Sequence, residues 1–130
     1  MYSTTHFHST THEVLCISSG RAKLCKIFQE LKTVNAFILT NPQGFGSEHN
    51  PSRLETEIKK GDVIVVPAGV GHRLLEDLDG GFEMVGSYPK GKSWNMCYGN
   101  AGEKEKIRGI ESLVWFERDP LYGDEGPVFG

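Results

Sequence analysis

This chain of 130 residues has five histidines, and three of them, His6, His8 and His12, fall within the first twelve positions, with His49 and His72 as the others. Side chains at i and i+2 of a strand share a face, so His6 and His8 can present two imidazoles to one interior. Glu13 opens the next apolar run, Glu13-Val14-Leu15-Cys16-Ile17, and after a turn at Ser9 to Thr11 it can aim back at the same spot. Two imidazoles and a carboxylate suit one divalent transition metal: Fe, Mn, Ni, Cu or Zn. A further ligand must come from elsewhere, and His72 follows a turn shaped by Pro67, Gly69 and Gly71. A histidine-rich start also reads as a solvated segment, although the interleaved Phe7, Ser9 and Thr10 set it apart from an expression tag.

His12 is a ligand or proton shuttle if it turns inward, and an outward-facing residue if strand alternation with Glu13 holds; alternation favours the second. His49 lies in a polar loop and reads as a solvated surface residue. Arg73, Tyr88, Trp94 and Tyr98 are candidates for lining a pocket mouth and orienting an anionic substrate, while aromatics near strand ends also serve packing alone. Nothing pairs a nucleophile with a base in the manner of acyl transfer.

The elements that must position these groups are short strands. Glu13 to Ile17 reads as a strand that stops at Ser18-Ser19-Gly20, and Arg21 to Cys25 alternates as the return strand of a hairpin. Residues 26–40 fit a helix or a strand, and Asn41 to Ser52 is a loop. Arg53 to Lys60 alternates, with Leu54, Thr56 and Ile58 on one face, as a half-exposed strand does. Gly61-Asp62 turns the chain into the β-branched run Val63-Ile64-Val65-Val66, a buried strand that Pro67 ends. His72 to Glu76 and Phe82 to Tyr88 follow, then one or two helical turns over Glu103 to Arg108, a last strand over Ile110 to Phe116, and a tail from Arg118 that drapes across a surface. About seven or eight strands at roughly 8–12-residue spacing predict an all-β sandwich or barrel.

Composition narrows the function classes. Fourteen Lys and Arg against 17 Asp and Glu give a net charge of −3, and no basic run exceeds Lys59-Lys60, so no nucleic-acid footprint is expected. No stretch approaches the roughly 20 apolar residues of a membrane span, and the N-terminus lacks a signal-peptide layout. Cys16, Cys25 and Cys97 are odd in number and form no C-x-x-C pair, which argues against a disulfide framework or zinc ribbon and for a reducing, cytoplasmic setting.

The spacing of these residues resembles that of the cupin superfamily. His6-x-His8, four residues, Glu13, six residues and Gly20 is similar to its first motif (6–20), and Gly61, five residues, Pro67-x-Gly69, two residues and His72 to its second (61–76). The segment Phe82 to Tyr98 and the closing Asp119 to Gly123 resemble a group of small microbial cupins. The resemblance implies one cupin domain over 1–130: a double-stranded β-helix, or jelly-roll barrel, with one metal held by His6, His8, Glu13 and His72. Three departures stand out. The glycine expected six residues before His6 would precede Met1, Glu76 replaces the usual Asn, and residues 26–44 resemble nothing in the family. The expectation is therefore a barrel lacking its first N-terminal strands and carrying an insertion at 26–44. The sheet edge left beside the metal would be exposed unless a partner subunit, as in a homodimer, covers it.

Three functions stay open on these residues. The first is a metal-dependent dioxygenase or isomerase acting on a small organic acid, ketone or phenol. The second is a metal-containing module that binds or senses a small molecule without chemistry. The third is a metal-free cupin of the sugar-nucleotide epimerase or storage type, against which the intact ligand set counts.

Overall fold

A computed structural model describes residues 3–27 and 53–128. Among the described residues, six strands form two antiparallel three-stranded sheets, with the jelly-roll character the motifs imply. The strands are β1 (Glu13–Ser19), β2 (Arg21–Ile27), β3 (Arg53–Lys59), β4 (Val63–Val66), β5 (Gly71–Asp77) and β6 (Glu83–Ser87). One sheet has the order β4-β1-β6 and the other β3-β2-β5.

The hairpin expected between β1 and β2 does not form. Each strand pairs inside a different sheet, and the bend at Gly20 carries the chain from one sheet to the other. Gly20 has φ +75°, and a Cβ there would lie 3.0 Å from the backbone of Gly81, so both the conformation and the space favour glycine. The sandwich interior away from the histidines is filled by Ile17, Ala22, Leu24 and Ile58, with Leu74 and Met84 packed against them.

A second core lies on the other side of β2. Cys25, Ile27, Phe7 and Cys97 meet Ile107 and Ile110 of the helix α1 (Lys104–Ile110). The spacing of Ile107 and Ile110 puts both on one helix face, and that burial carries the helix past the predicted Arg108. Glu103, buried just before α1, accepts the N–H groups of Tyr98 and Asn100 at 2.9 and 2.7 Å and fixes the entry of the helix.

Other expectations need correction. Ile110 to Phe116 is not a strand: the helix runs through Ile110, and the next residues turn, with the Leu113 N–H on the Ile110 carbonyl at 3.1 Å. Val63 to Val66 is a strand but not a uniformly buried one. Val66 faces the interior and Val63 is partly exposed, because only one face of its sheet packs inward. Leu54 is 52% exposed although Ile58 on the same face is buried, since β3 is an outer strand of its sheet. Of the segment 26–44, Lys26 and Ile27 complete β2, whereas residues 28–44, like His49, lie outside the described residues.

The edge beside the histidines is covered by this chain itself. His6 and His72 exchange backbone N–H···O bonds of 3.2 and 2.8 Å, which adds the His6–His8 segment to the edge of β5. On its far side Phe7 and Cys97 exchange two bonds of 2.9 Å. The segment around Cys97 thus lies along the outer side of the first histidine segment.

Candidate metal centre

Alternation along the first segment places Phe7 in the α1 core and turns His6 and His8 to the opposite side, into the mouth of the sandwich. The cavity there has a volume of about 430 Å3 and is lined by His6, His8, Glu13 and His72. His72 arrives from β5 and Glu13 from β1, so the two sheets contribute one side chain each. All four are at least 96% buried, with exposures of 3, 4, 4 and 1% for His6, His8, Glu13 and His72.

The ring nitrogens carry the chemical information. Nδ1 of His6 lies 2.8 Å from the Thr4 carbonyl, Nδ1 of His72 lies 3.1 Å from the Val70 carbonyl, and Nδ1 of His8 meets the Asn95 carbonyl. A carbonyl can only accept, so each Nδ1 must carry its proton, and each neutral ring keeps its lone pair on Nε2. Those lone pairs converge: one ligand atom from each of His6, His8 and His72 lies within 4.8 Å of the others, a group that can hold a metal ion.

Glu13 sharpens this picture. Its Oε2 stands 3.0 Å from Nε2 of His8 and 3.4 Å from Nε2 of His72. Two neutral imidazole acceptors and a carboxylate oxygen do not attract one another at such distances without a cation between them. In the protein alone a proton can serve. Burial disfavours a charged His8, but the hydrogen bond to Glu13 and the Asn95 carbonyl outweigh it and raise its pKa. Burial likewise favours a neutral Glu13, yet the contacts from His72, His8 and Tyr88 hold the carboxyl well below its usual range. His6 differs: burial, reinforced by the neighbouring His72 and His8, lowers its pKa to about 4 and leaves it neutral, the form that ligates metals. The three imidazoles, with the ionised Glu13 carboxylate beside them, form a group that can hold a metal ion.

Neighbouring residues fix these groups in place. The Tyr88 hydroxyl donates to Glu13 Oε1 at 2.8 Å. Asn95 clamps the first segment at three points: its side chain accepts the Ser9 N–H at 2.8 Å and donates to Ser9 Oγ at 2.7 Å, while its carbonyl takes the His8 proton. Trp94, half exposed, stands at the cavity mouth, its ring centroid 6.0 Å from that of His8.

Of the four residues read from the sequence as a pocket mouth, Tyr88 and Trp94 line the cavity, while Arg73 and Tyr98 do not. Arg73 follows an inward His72 in β5, so alternation sends it to the other face, opposite Cys25. Tyr98 lies beyond the Cys97 bridge and is exposed. Sequence reasoning missed Met84, Gly86 and Met96. The first two share the face of Tyr88 by the two-residue period, a signal available in the sequence. A Cβ at Gly86 would lie 2.8 Å from Oε1 of Glu13, so a side chain there would push the carboxylate from its place.

His12 turns away from this cavity, as alternation predicts. Its Nδ1 accepts the Ala68 N–H at 2.9 Å, and its Nε2 donates to the Val114 carbonyl at 3.2 Å. Among the described residues, no helix is long and apolar enough to cross a membrane.

Comparison with known proteins agrees with the motif reading. The family model described as Cupin matches residues 2–76, which include both motif segments. The chain is also similar to YjlB, an uncharacterised protein of Bacillus subtilis (strain 168), with 30% identity over 124 residues covering 95% of this chain and 61% of that protein. The chain spans about three-fifths of the length of the curated relative it matches. With more than half its length matched and the histidines of both motifs gathered on one buried cavity, the chain belongs to the cupin family.

Proposed function

We propose that this cupin holds one divalent transition metal on His6, His8, His72 and Glu13 and acts as a dioxygenase or isomerase on a small organic acid, ketone or phenol. The observation that carries the reading is the convergence of Nε2 of His8 and of His72 on the Glu13 carboxylate, 3.0 and 3.4 Å away, with Nδ1 of each ring held by a carbonyl. When bound, the metal supplies a Lewis acid for a carbonyl or phenolate oxygen, or a redox centre.

The chain's own residues do the rest. Glu13 offsets one of the two metal charges, so the centre keeps a net positive charge and favours an anionic or enolisable ligand. Tyr88 holds Glu13 in one orientation through its hydroxyl. Met84, Met96 and Trp94 supply apolar walls that displace water around a ring or alkyl chain. The half-exposed Trp94 leaves the mouth open to a ligand of that size. The free thiols Cys25 and Cys97, both buried, fit the cytoplasmic setting of this reading. The apolar, exposed Val63 and Val85 on the outer face of β4-β1-β6 are compatible with a homodimer.

Metal analysis of purified protein tests the first half: about one ion per chain is expected, lost in His8→Ala. A metal-free wild type, or equal metal in both proteins, overturns the assignment. Oxygen uptake and product analysis with diketones, catechols and enolisable keto acids test the second half. Metal-loaded protein that binds such compounds without converting any of them would instead be a binding or sensing module.

A further inference from the structure

A second cavity, of about 380 Å3, lies on the side of the His12–Glu13 segment away from the metal centre, and it shares no lining residue with the first. Its wall is aromatic. The ring centroids of Trp115 and Phe116 lie 4.8 and 5.6 Å from that of His12, and 5.2 Å from each other. Both nitrogens of His12 are engaged by backbone groups, so the imidazole offers this cavity a ring surface and not a free donor or acceptor. The Trp115 indole N–H is likewise engaged, donating to the Val128 carbonyl at 2.9 Å, which leaves the face of the indole as its contribution.

Two lysines also line the cavity. Lys90 and Lys92 flank a tight turn in which the Lys92 N–H bonds the Pro89 carbonyl at 3.0 Å. Among the described residues neither ammonium group is in an ion pair, unlike Arg21, which pairs with Glu57 and Asp79. Glu117 also lines the cavity, so two cations stand against one carboxylate. Aromatic faces together with an excess of ammonium charge match a flat apolar ring bearing one negative group. A volume of this order accommodates a ligand the size of a benzoate or naphthoate.

We propose that this cavity is a second small-molecule site, specific for aryl carboxylates, with the ring against Trp115 and Phe116 and the carboxylate between Lys90 and Lys92. The site does not depend on the metal reading, because none of its residues is a ligand in that reading.

The chain's two tryptophans divide the test cleanly, since Trp94 stands at the metal cavity and Trp115 at this one. In Trp94→Phe the sole indole reports on the second cavity, and in Trp115→Phe on the first. Titration of Trp94→Phe with benzoate is expected to give a saturable change in emission. Benzamide, which lacks the charge, is expected to bind about tenfold more weakly, and so is benzoate to the same protein carrying Lys90→Ala and Lys92→Ala. The benzamide arm reads the charge requirement on unmodified lysines, so it stands even if the lysine variants are poorly folded. A non-saturating response, equal affinity for benzoate and benzamide, or saturable binding seen only through Trp94 in Trp115→Phe would overturn the site.

Discussion

His8 and His12 lie on one short segment, are both largely removed from water and both press against backbone carbonyls, yet only one can take a metal. His8 gives its Nδ1 proton to the Asn95 carbonyl and keeps a lone pair on Nε2 facing Glu13. His12 uses its lone pair to receive the Ala68 N–H and its proton to reach Val114, so nothing is left over. The difference lies in the second nitrogen. A histidine whose two nitrogens meet a donor and an acceptor is a cross-link, and one whose partner can only accept is a ligand in waiting. The same rule sorts His6 and His72, whose Nδ1 atoms also meet carbonyls, with His8.

This contrast can be broken most severely at His8. His8→Ala is expected to weaken metal binding beyond the about 10–100-fold typical of lost supporting contacts, measured by equilibrium dialysis, while leaving the emission of Trp115 unchanged. Tyr88→Phe tests the support of the carboxylate. Loss of the 2.8 Å bond to Glu13 should lower metal affinity by about 10–100-fold with little change in stability. His12→Ala should do the reverse. Metal content stays at the wild-type level, and denaturant unfolding shows a loss of about 1–3 kcal/mol from the unpaired Ala68 N–H and Val114 carbonyl. Metal loss in His12→Ala equal to that in His8→Ala would collapse the distinction.

The smallest effect concerns the tail beyond Arg118. Asp119 is buried and accepts the N–H groups of Leu121, Tyr122 and Val128 at 2.8, 3.0 and 3.0 Å. Burial alone would favour its neutral form, but these bonds prevail and depress its pKa. A depressed carboxyl stabilises the fold above its unfolded pKa, and that contribution disappears as the pH falls through the folded value. Asp119→Asn should therefore be less stable than wild type near neutrality and indistinguishable from it in strong acid, followed by Trp115 emission across a pH series. A constant difference at every pH would remove the charge from the explanation.

The ligand candidates were legible because they are local: His6, His8 and Glu13 sit within eight positions, and His72 follows a marked turn. Strands β3 to β6 were legible for the same reason, since alternation and turn residues act over a few positions. What could not be read was pairing at a distance. The apparent hairpin at Gly20 joins strands of different sheets, a choice made by the strands waiting on each side. The carbonyls that hold His8 and its segment belong to Asn95 and Cys97, and a carbonyl has no signature in sequence because every residue carries one. The charge of Arg73 points to the pocket but its alternation with His72 excludes it, whereas the same alternation puts the unnoticed Met84 and Gly86 on the face of Tyr88.

The bridge between Phe7 and Cys97 also sets an order of events. His8 leaves the ribosome 87 residues ahead of Asn95, the residue that holds its ring. At about 5–20 residues per second, the imidazoles spend several seconds in a nascent chain before their holder exists. Closing so long a loop costs more entropy than closing any strand-to-strand turn in the molecule. The centre therefore cannot be completed until Asn95 has been made, however early its own imidazoles appear.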